Sequence, residues 1–239
     1  MKTGGIKILN KLLNTLFPET CPVCGNSSDI HRTAPICSAC WESIVPYSGP
    51  RCERCGRPLV SDSSITCGEC MKKEPAFISA VGFGLYDGVL KKAINRLKYH
   101  KVKRLSGPLS DILLTNKIPR TDIVLPVPLH SRRMRERGFN QSALLSRHLA
   151  DRLGMRLEIN CLAKIKDTAP QVGLSSKDRI LNIKGAYAVH KTEALMGSDI
   201  LLVDDVFTTG ATLRECSKVL KKAGARKIYA LTLAHGLQD

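Results

Sequence analysis

The chain has 239 residues, 43% of them hydrophobic, with a formal net charge of +16. That is apolar material enough for a buried core, nothing in the composition suggests disorder, and the length suits one ordinary domain plus a smaller one. Residues 1–75 carry nine Lys+Arg against seven Asp+Glu, residues 76–239 carry 28 against 14, so the second part is expected to meet an anion: nucleic acid, a phosphorylated small molecule or an acidic protein.

In chain order, residues 6–17 (IKILNKLLNTLF) place Ile6, Leu9, Leu13 and Leu16 at helical spacing before Pro18. Lys7, Asn10, Lys11 and Asn14 interrupt the apolar run and no small-residue cleavage site follows, so no export signal is expected. No stretch approaches the ~20 apolar residues of a membrane span. A soluble, cytoplasmic, reducing setting is therefore expected, where clustered cysteines act as metal ligands rather than disulfides.

Eight of the ten cysteines fall in four C-x-x-C pairs: Cys21 and Cys24, Cys37 and Cys40, Cys52 and Cys55, Cys67 and Cys70. A C-x-x-C turn aims two thiolates to one side, and two such turns complete a tetrahedral site, so eight ligands imply two structural Zn²⁺. Sequential pairing (Cys21, Cys24, Cys37, Cys40, then Cys52, Cys55, Cys67, Cys70) closes the shortest loops. A cross-braced arrangement is the alternative. Redox activity is disfavoured because no βαβ pattern surrounds these pairs. His31 is expected at the surface.

Residues 71–79 form the expected boundary between parts 1–75 and 76–239. Beyond it, 80–86 read as a strand and 88–100 as a helix buried along Leu90, Ala93, Ile94 and Leu97. Lys91, Lys92, Arg96 and Lys98 lie off that stripe, and Lys101, Lys103 and Arg104 extend a run of seven cations with no acid. It reads either as a solvated face or as a site for an anionic chain such as single-stranded DNA. Residues 105–114 form a second helix.

Residues 122–127 (DIVLPV) read as a buried strand. Pro128, Leu129, His130, Arg132, Arg133, Arg135 and Arg137 follow in an expected loop, where forked guanidinium donors suit a diphosphate. Asn140 is a candidate N-cap for a helix reaching residue 153. Residues 159–165 and 185–189 read as strands around a mobile loop, 166–182, that includes Gln171, Lys177, Asp178 and Arg179.

The stretch 199–212, DILLVDDVFTTGAT, is the most informative. Ile200 to Val203 form a buried strand, with Asp204 and Asp205 at its carboxyl end, where ligands bind in open α/β sheets. Val206, Phe207, Thr208, Thr209, Gly210, Ala211 and Thr212 lead into a helix over 212–223, closed by Gly224. Amides and hydroxyls at a helix N-terminus cradle phosphate, Gly210 permits close approach, and the carboxylates suit vicinal sugar hydroxyls. Residues 226–234 add a last strand, and alternating elements imply a mostly parallel sheet.

VDDVFTTGAT resembles the phosphoribosyl pyrophosphate (PRPP) motif of type I phosphoribosyltransferases. Together with the cysteine pairs, LKYH at 97–100, PVPLHSRRMRERGFNQ at 126–141 and the 171–182 loop, it resembles the ComF family over essentially the whole chain. That resemblance implies an α/β fold with a type I phosphoribosyltransferase-like, mostly parallel sheet, preceded by a small Cys₄ double zinc ribbon. It implies PRPP bound with Mg²⁺ by residues 204–212, with Asp204 and Asp205 as the catalytic or binding carboxylates. Pyrophosphate would lie on Pro128, Leu129, His130, Arg132, Arg133, Arg137 and Asn140. It further implies a role in DNA uptake, handling single-stranded DNA beside a helicase-like competence partner, peripheral to the inner membrane at most. The alternative is an active phosphoribosyltransferase acting on a nucleobase-like acceptor.

Overall fold

Strands buried on both faces read as continuous apolar runs, and they pair in parallel when helices cover both sides. The computed structural model follows that rule; it describes residues 19–61, 63–168, 176–190 and 192–236. The helix expected at 6–17 and Gln171 lie outside the described residues. Two short helices, α1 (Ser38–Glu42) and α2 (Gly68–Lys72), sit in the cysteine region. Then come β1 (Ser79–Leu85), α3 (Gly88–Tyr99), α4 (Ser106–Leu114), β2 (Ile123–Pro126), α5 (Ser131–Arg137) and α6 (Gln141–Leu153). β3 (Arg156–Leu157), β4 (Leu162–Lys164), α7 (Ser176–Ile183), β5 (Tyr187–Val189), β6 (Asp199–Phe207), α8 (Ala211–Lys222) and β7 (Lys227–His235) complete the order.

The main sheet runs β1-β7-β6-β2-β3, every neighbouring pair parallel. Strand alternation divides the core in two. Ile200 and Leu202 of β6 pack with Leu213, Cys216 and Leu220 of α8. Leu201 and Val203 pack with Leu90, Ile94 and Leu97 of α3, Leu109 of α4 and Leu145 of α6. The cysteine region straddles this division. Cys21 and Cys37 join the α3 side, while Cys52, Cys55, Cys67 and Cys70 join the α8 side with Phe77.

Several elements differ from the sequence expectation. The segment after β2 is not a loop: residues 131–137 form a helix, stopped by Gly138 at φ 79°. β6 continues through the aspartate pair to Phe207. Part of the expected 166–182 loop is helical as α7, and β4 and β5 form a separate antiparallel pair. Gly224, at φ 91°, follows α8 as expected of a C′ residue. Among the described residues, no helix is long and apolar enough to cross a membrane.

Candidate functional site

At the carboxyl ends of β2 and β6 lies a cleft of about 300 Å³. β6 and the turn after it contribute Asp204, Asp205, Val206, Thr208 and Thr212. The β2 side contributes Leu129, His130, Arg133, Arg137 and Gln141, and the β1–α3 side Tyr86, Lys98 and Tyr99. Lys164, Thr168 and Arg179 close the remaining wall. Inside the turn, a recess of about 30 Å³ is bordered by Asp204, Thr208, Gly210, Ala211 and Thr212.

The turn is built for close approach. Gly210 adopts φ 74°, and a Cβ there would fall 2.3 Å from Phe207 Cζ. Phe207 therefore lies under the turn, bordering the recess but not the larger cleft, buried against His235 with ring centroids 4.8 Å apart. Thr209 is buried, its Oγ1 accepting from Ala211 N at 3.4 Å. Ala211 is buried as the first residue of α8.

The two carboxylates have different partners. Asp205 accepts from Lys98 Nζ at 2.7 Å, with the side chains 6% and 14% exposed. Its second oxygen, Oδ2, is buried without a hydrogen-bond partner among the described residues. Asp204 Oδ1 accepts from Ser142 Oγ at 3.0 Å and from the Asp205 amide at 2.9 Å. Burial, and then the neighbouring Asp205 charge, push the Asp204 carboxyl up to about 7. Burial works against the Lys98 charge, yet the Asp205 carboxylate holds its pKa above the ordinary value. Across the cleft, burial and then Arg133 push Lys164 down, and its Nζ donates to Thr168 Oγ1 at 2.7 Å.

Helix α5 sorts the arginines that the sequence placed in one loop. Arg133 and Arg137, four apart, share the cleft-facing side. Arg132 turns outward to Asp167 at 3.1 Å and Glu136 at 3.0 Å, and Arg135 is exposed. His130 caps α5, with Nδ1 3.4 Å from the Arg132 amide and 3.4 Å from Asp167. Asn140 uses both polar ends structurally: Oδ1 caps α6 at Ser142 N, 3.0 Å, and Nδ2 donates to Val127 O, 2.9 Å. Pro128 is half-buried at the end of β2 and does not line the cleft.

The basic run 91–104 is also divided. Lys91, Lys92, Lys101 and Lys103 are exposed and Arg96 is half-buried. Arg104 is taken by Ala34 O at 2.8 Å and by Glu19. Lys98 corrects the sequence reading: it belongs to the cleft, not to an outward basic face.

The cysteines form two groups with sequential pairing, and within each the four sulfurs lie within 4.8 Å of one another. Tetrahedral Zn–S bonds of ~2.3 Å put sulfurs ~3.8 Å apart. The 3.6 Å separations of Cys24 from Cys37 and Cys55 from Cys67 fit that geometry. Burial opposes the Cys21 thiolate, but amides of Cys37, Cys24 and Val23 bring its pKa down to about 6. Four thiolates per site leave no open position, so these sites fit two structural zinc ions.

Residues 12–71 match the double zinc ribbon domain and residues 140–239 the phosphoribosyl transferase domain. The chain is 36% identical over 228 residues to Competence protein F of Haemophilus influenzae, covering 91% of this chain and 97% of that protein. This chain belongs to the ComF family. It is 32% identical to DNA utilization protein YhgH of Salmonella typhi, covering 84% of this chain and 91% of that protein. It is 27% identical to Competence protein ComFC of Bacillus subtilis, covering 83% of each.

The ComF site contains residues that the sequence reading missed. Ser142 reaches Asp204 from 62 positions away, so no local pattern could show it. Lys98 carried a readable signal. It follows Ile94 by four positions and Leu97 by one, on the margin of the buried stripe of α3. Tyr99, 61% exposed at the cleft's lip, lies under the Arg137 guanidinium at 5.6 Å.

Proposed function

We infer that this ComF protein binds PRPP with Mg²⁺ in the cleft and acts in the cytoplasm as a ligand-regulated module in the handling of single-stranded DNA. The observation that carries the first half is the recess within the turn after β6, beside the Asp204–Asp205 pair. Amides at the start of α8, with the Thr208 and Thr212 hydroxyls, form a cradle for the 5-phosphate. The carboxylates accept hydrogen bonds from ribose hydroxyls, and Arg133 and Arg137 hold the diphosphate. Mg²⁺ supplies positive charge to the diphosphate when bound, and the oxygen-rich, acidic donor set suits that hard cation.

The second half rests on the printed roles of relatives, a competence protein and a DNA utilization protein, and on the exposed cations Lys91, Lys92, Lys101 and Lys103. A helicase-like competence partner at the inner face of the membrane completes this reading. A second reading, phosphoribosyl transfer to a nucleobase-like acceptor, is favoured by Arg179, which lines the cleft from α7 and supplies a covering wall. Pyrophosphate release during a nucleobase screen separates transferase from binding module.

Calorimetry with PRPP and Mg²⁺ tests the site. Asp204→Asn with Asp205→Asn is expected to weaken binding by about 1.5–3 kcal/mol, the range for hydrogen bonds to charged groups. Wild-type affinity in the double variant would refute the assignment. Lys91→Glu with Lys92→Glu and Arg96→Glu is expected to abolish single-stranded DNA binding while PRPP binding stays. Unchanged DNA affinity would remove α3 from the DNA contact.

A further inference from the structure

The two ribbons are not equivalent in what they touch. From the first, Ala34 and Glu19 meet Arg104, and Arg32 meets Asp111 of α4, all on the side away from the turn after β6. The second ribbon grips that turn from both ends.

At the helix end, Arg214 lies in the first turn of α8, its own amide donating to Gly210 O at 2.9 Å. Its guanidinium donates through Nη2 to Cys70 Sγ at 3.0 Å and through Nη1 to Lys73 O at 2.9 Å. A Zn²⁺ bound by four thiolates carries a net double negative charge, which a guanidinium hydrogen-bonded to one sulfur offsets.

At the strand end, buried His235 donates from Nε2 to Cys55 O at 2.9 Å and packs its ring on Phe207. Phe207 in turn fills the space beneath Gly210. The channel for the imidazole is kept open by glycines: a Cβ on Gly82 would fall 2.0 Å from His235 Nδ1, and one on Gly56 2.9 Å from its Cε1. Gly236 N closes the assembly on Phe207 O at 2.7 Å.

We propose that the second four-cysteine site positions the ligand turn. Arg214 and His235 act as struts from its cysteine knuckles to the two ends of the turn, so that zinc held by Cys52, Cys55, Cys67 and Cys70 sets affinity for the phosphorylated ligand. This rests on the PRPP reading for its ligand, but not for the strut itself. Both residues are positioning residues: neither lines the recess, and each acts through the backbone of the turn. Without the struts the turn samples other conformations, and the bound conformation must be selected from them at a cost in affinity. By linkage, a ligand that binds the ordered turn must tighten zinc at the second site by the same factor.

Hydrogen exchange of the full zinc-loaded chain tests this, read on the peptide covering residues 207–214, with zinc content measured on each sample. Arg214→Gln and His235→Phe are expected to speed exchange there about tenfold, in the lower half of the usual range for site-to-site coupling. Arg214→Lys, which keeps the charge but loses the two-armed fork, is expected to fall between. The dissociation constant for PRPP is expected to rise in each variant as the fraction of turns in the bound conformation falls. In the wild type, PRPP is expected to slow release of one zinc of the two to a chromogenic chelator, and Arg214→Gln to erase that slowing. Wild-type exchange in both variants, with PRPP binding intact, overturns the strut and leaves the ligand reading standing. Faster exchange in a protein that binds no PRPP establishes the strut and overturns the ligand reading.

Discussion

Lys98→Met isolates the charge that faces the aspartate pair. Lys98 and Asp205 Oδ1 meet at 2.7 Å with side chains 14% and 6% exposed, and Asp205 Oδ2 has no partner among the described residues. Removing the ammonium leaves a carboxylate out of water with neither oxygen paired by a side chain. Breaking a buried pair from one side costs about 3–5 kcal/mol, whereas replacing both partners is close to neutral. Because both side chains border the open cleft, water relieves part of that penalty, and the expected loss is about 3 kcal/mol. Adding Asp205→Asn should bring stability back to within about 1 kcal/mol of wild type, and with the Asp205→Asn single variant measured as well the cycle gives a coupling of at least about 2 kcal/mol. Urea unfolding in zinc-saturated buffer measures it. The single tryptophan, Trp41, reports on the first ribbon, where it packs against the α3 side of the core, and circular dichroism reports on the sheet. A single variant as stable as wild type, or a double variant as damaged as the single, would refute the buried-pair account.

Metal analysis of protein purified without chelator should give about two zinc per chain, four cysteines per ion; one or none would contradict the ligand geometry. PRPP affinity should climb as pH rises through about 7, where Asp204 ionises to accept ribose hydroxyls, and the climb should vanish in Asp204→Asn. The same group acts oppositely on folding: its carboxyl ionises near ~3.9 when unfolded, so its contribution is fully present below that pH and is lost as pH rises through about 7. Gly210→Ala should cost about 2–4 kcal/mol, from left-handed backbone strain and from overpacking against Phe207. Gly138→Ala, at φ 79° with open space around it, should cost about 1–2 kcal/mol from backbone strain alone; equal losses in thermal unfolding would remove the steric argument.

What the sequence disclosed was local. An apolar run, an acidic pair, a small-residue turn and a helix follow one another without interruption between residues 199 and 222, so the motif could be read in one pass. Asn140 as N-cap and Gly224 as C′ residue were legible because capping is decided by a few neighbouring groups. Sequential pairing of the cysteines followed from short loops alone. The misread elements are those where tertiary partners decide. β6 runs past Val203 because Asp204 and Asp205 find Ser142 and Lys98, without which a strand could not carry two carboxylates inward. Helix α5 has no buried residue of its own, so no apolar periodicity marks it, although Gly138 supplied its stop. Lys98 was read with its cationic neighbours because charge runs show no direction until a partner fixes one.

The arrangement of the ribbons gives the metal sites a second consequence for the sheet. β1 ends the strand order, paired only with β7, so its outer edge would present unpaired amides and carbonyls. The cysteine region covers that edge: Ala80 N donates to Arg54 O at 2.8 Å, and Phe83 O accepts from Tyr47 N at 2.9 Å. Arg54 lies between Cys52 and Cys55, so one of these edge bonds is made from within a knuckle of the second site. Cys52, Cys55, Cys67 and Cys70 also share their cluster with Phe77 and Ala80 at the start of β1. A metal closing this knuckle would therefore do three things through one short loop: complete the apolar cluster, hold the covered sheet edge and support the turn after β6. Those three effects can be told apart, because the edge bonds are made by backbone and the struts by Arg214 and His235. A change confined to Arg214 leaves the edge covered, so loss of ligand affinity without aggregation is the signature of the strut, whereas aggregation is the signature of an uncovered β1.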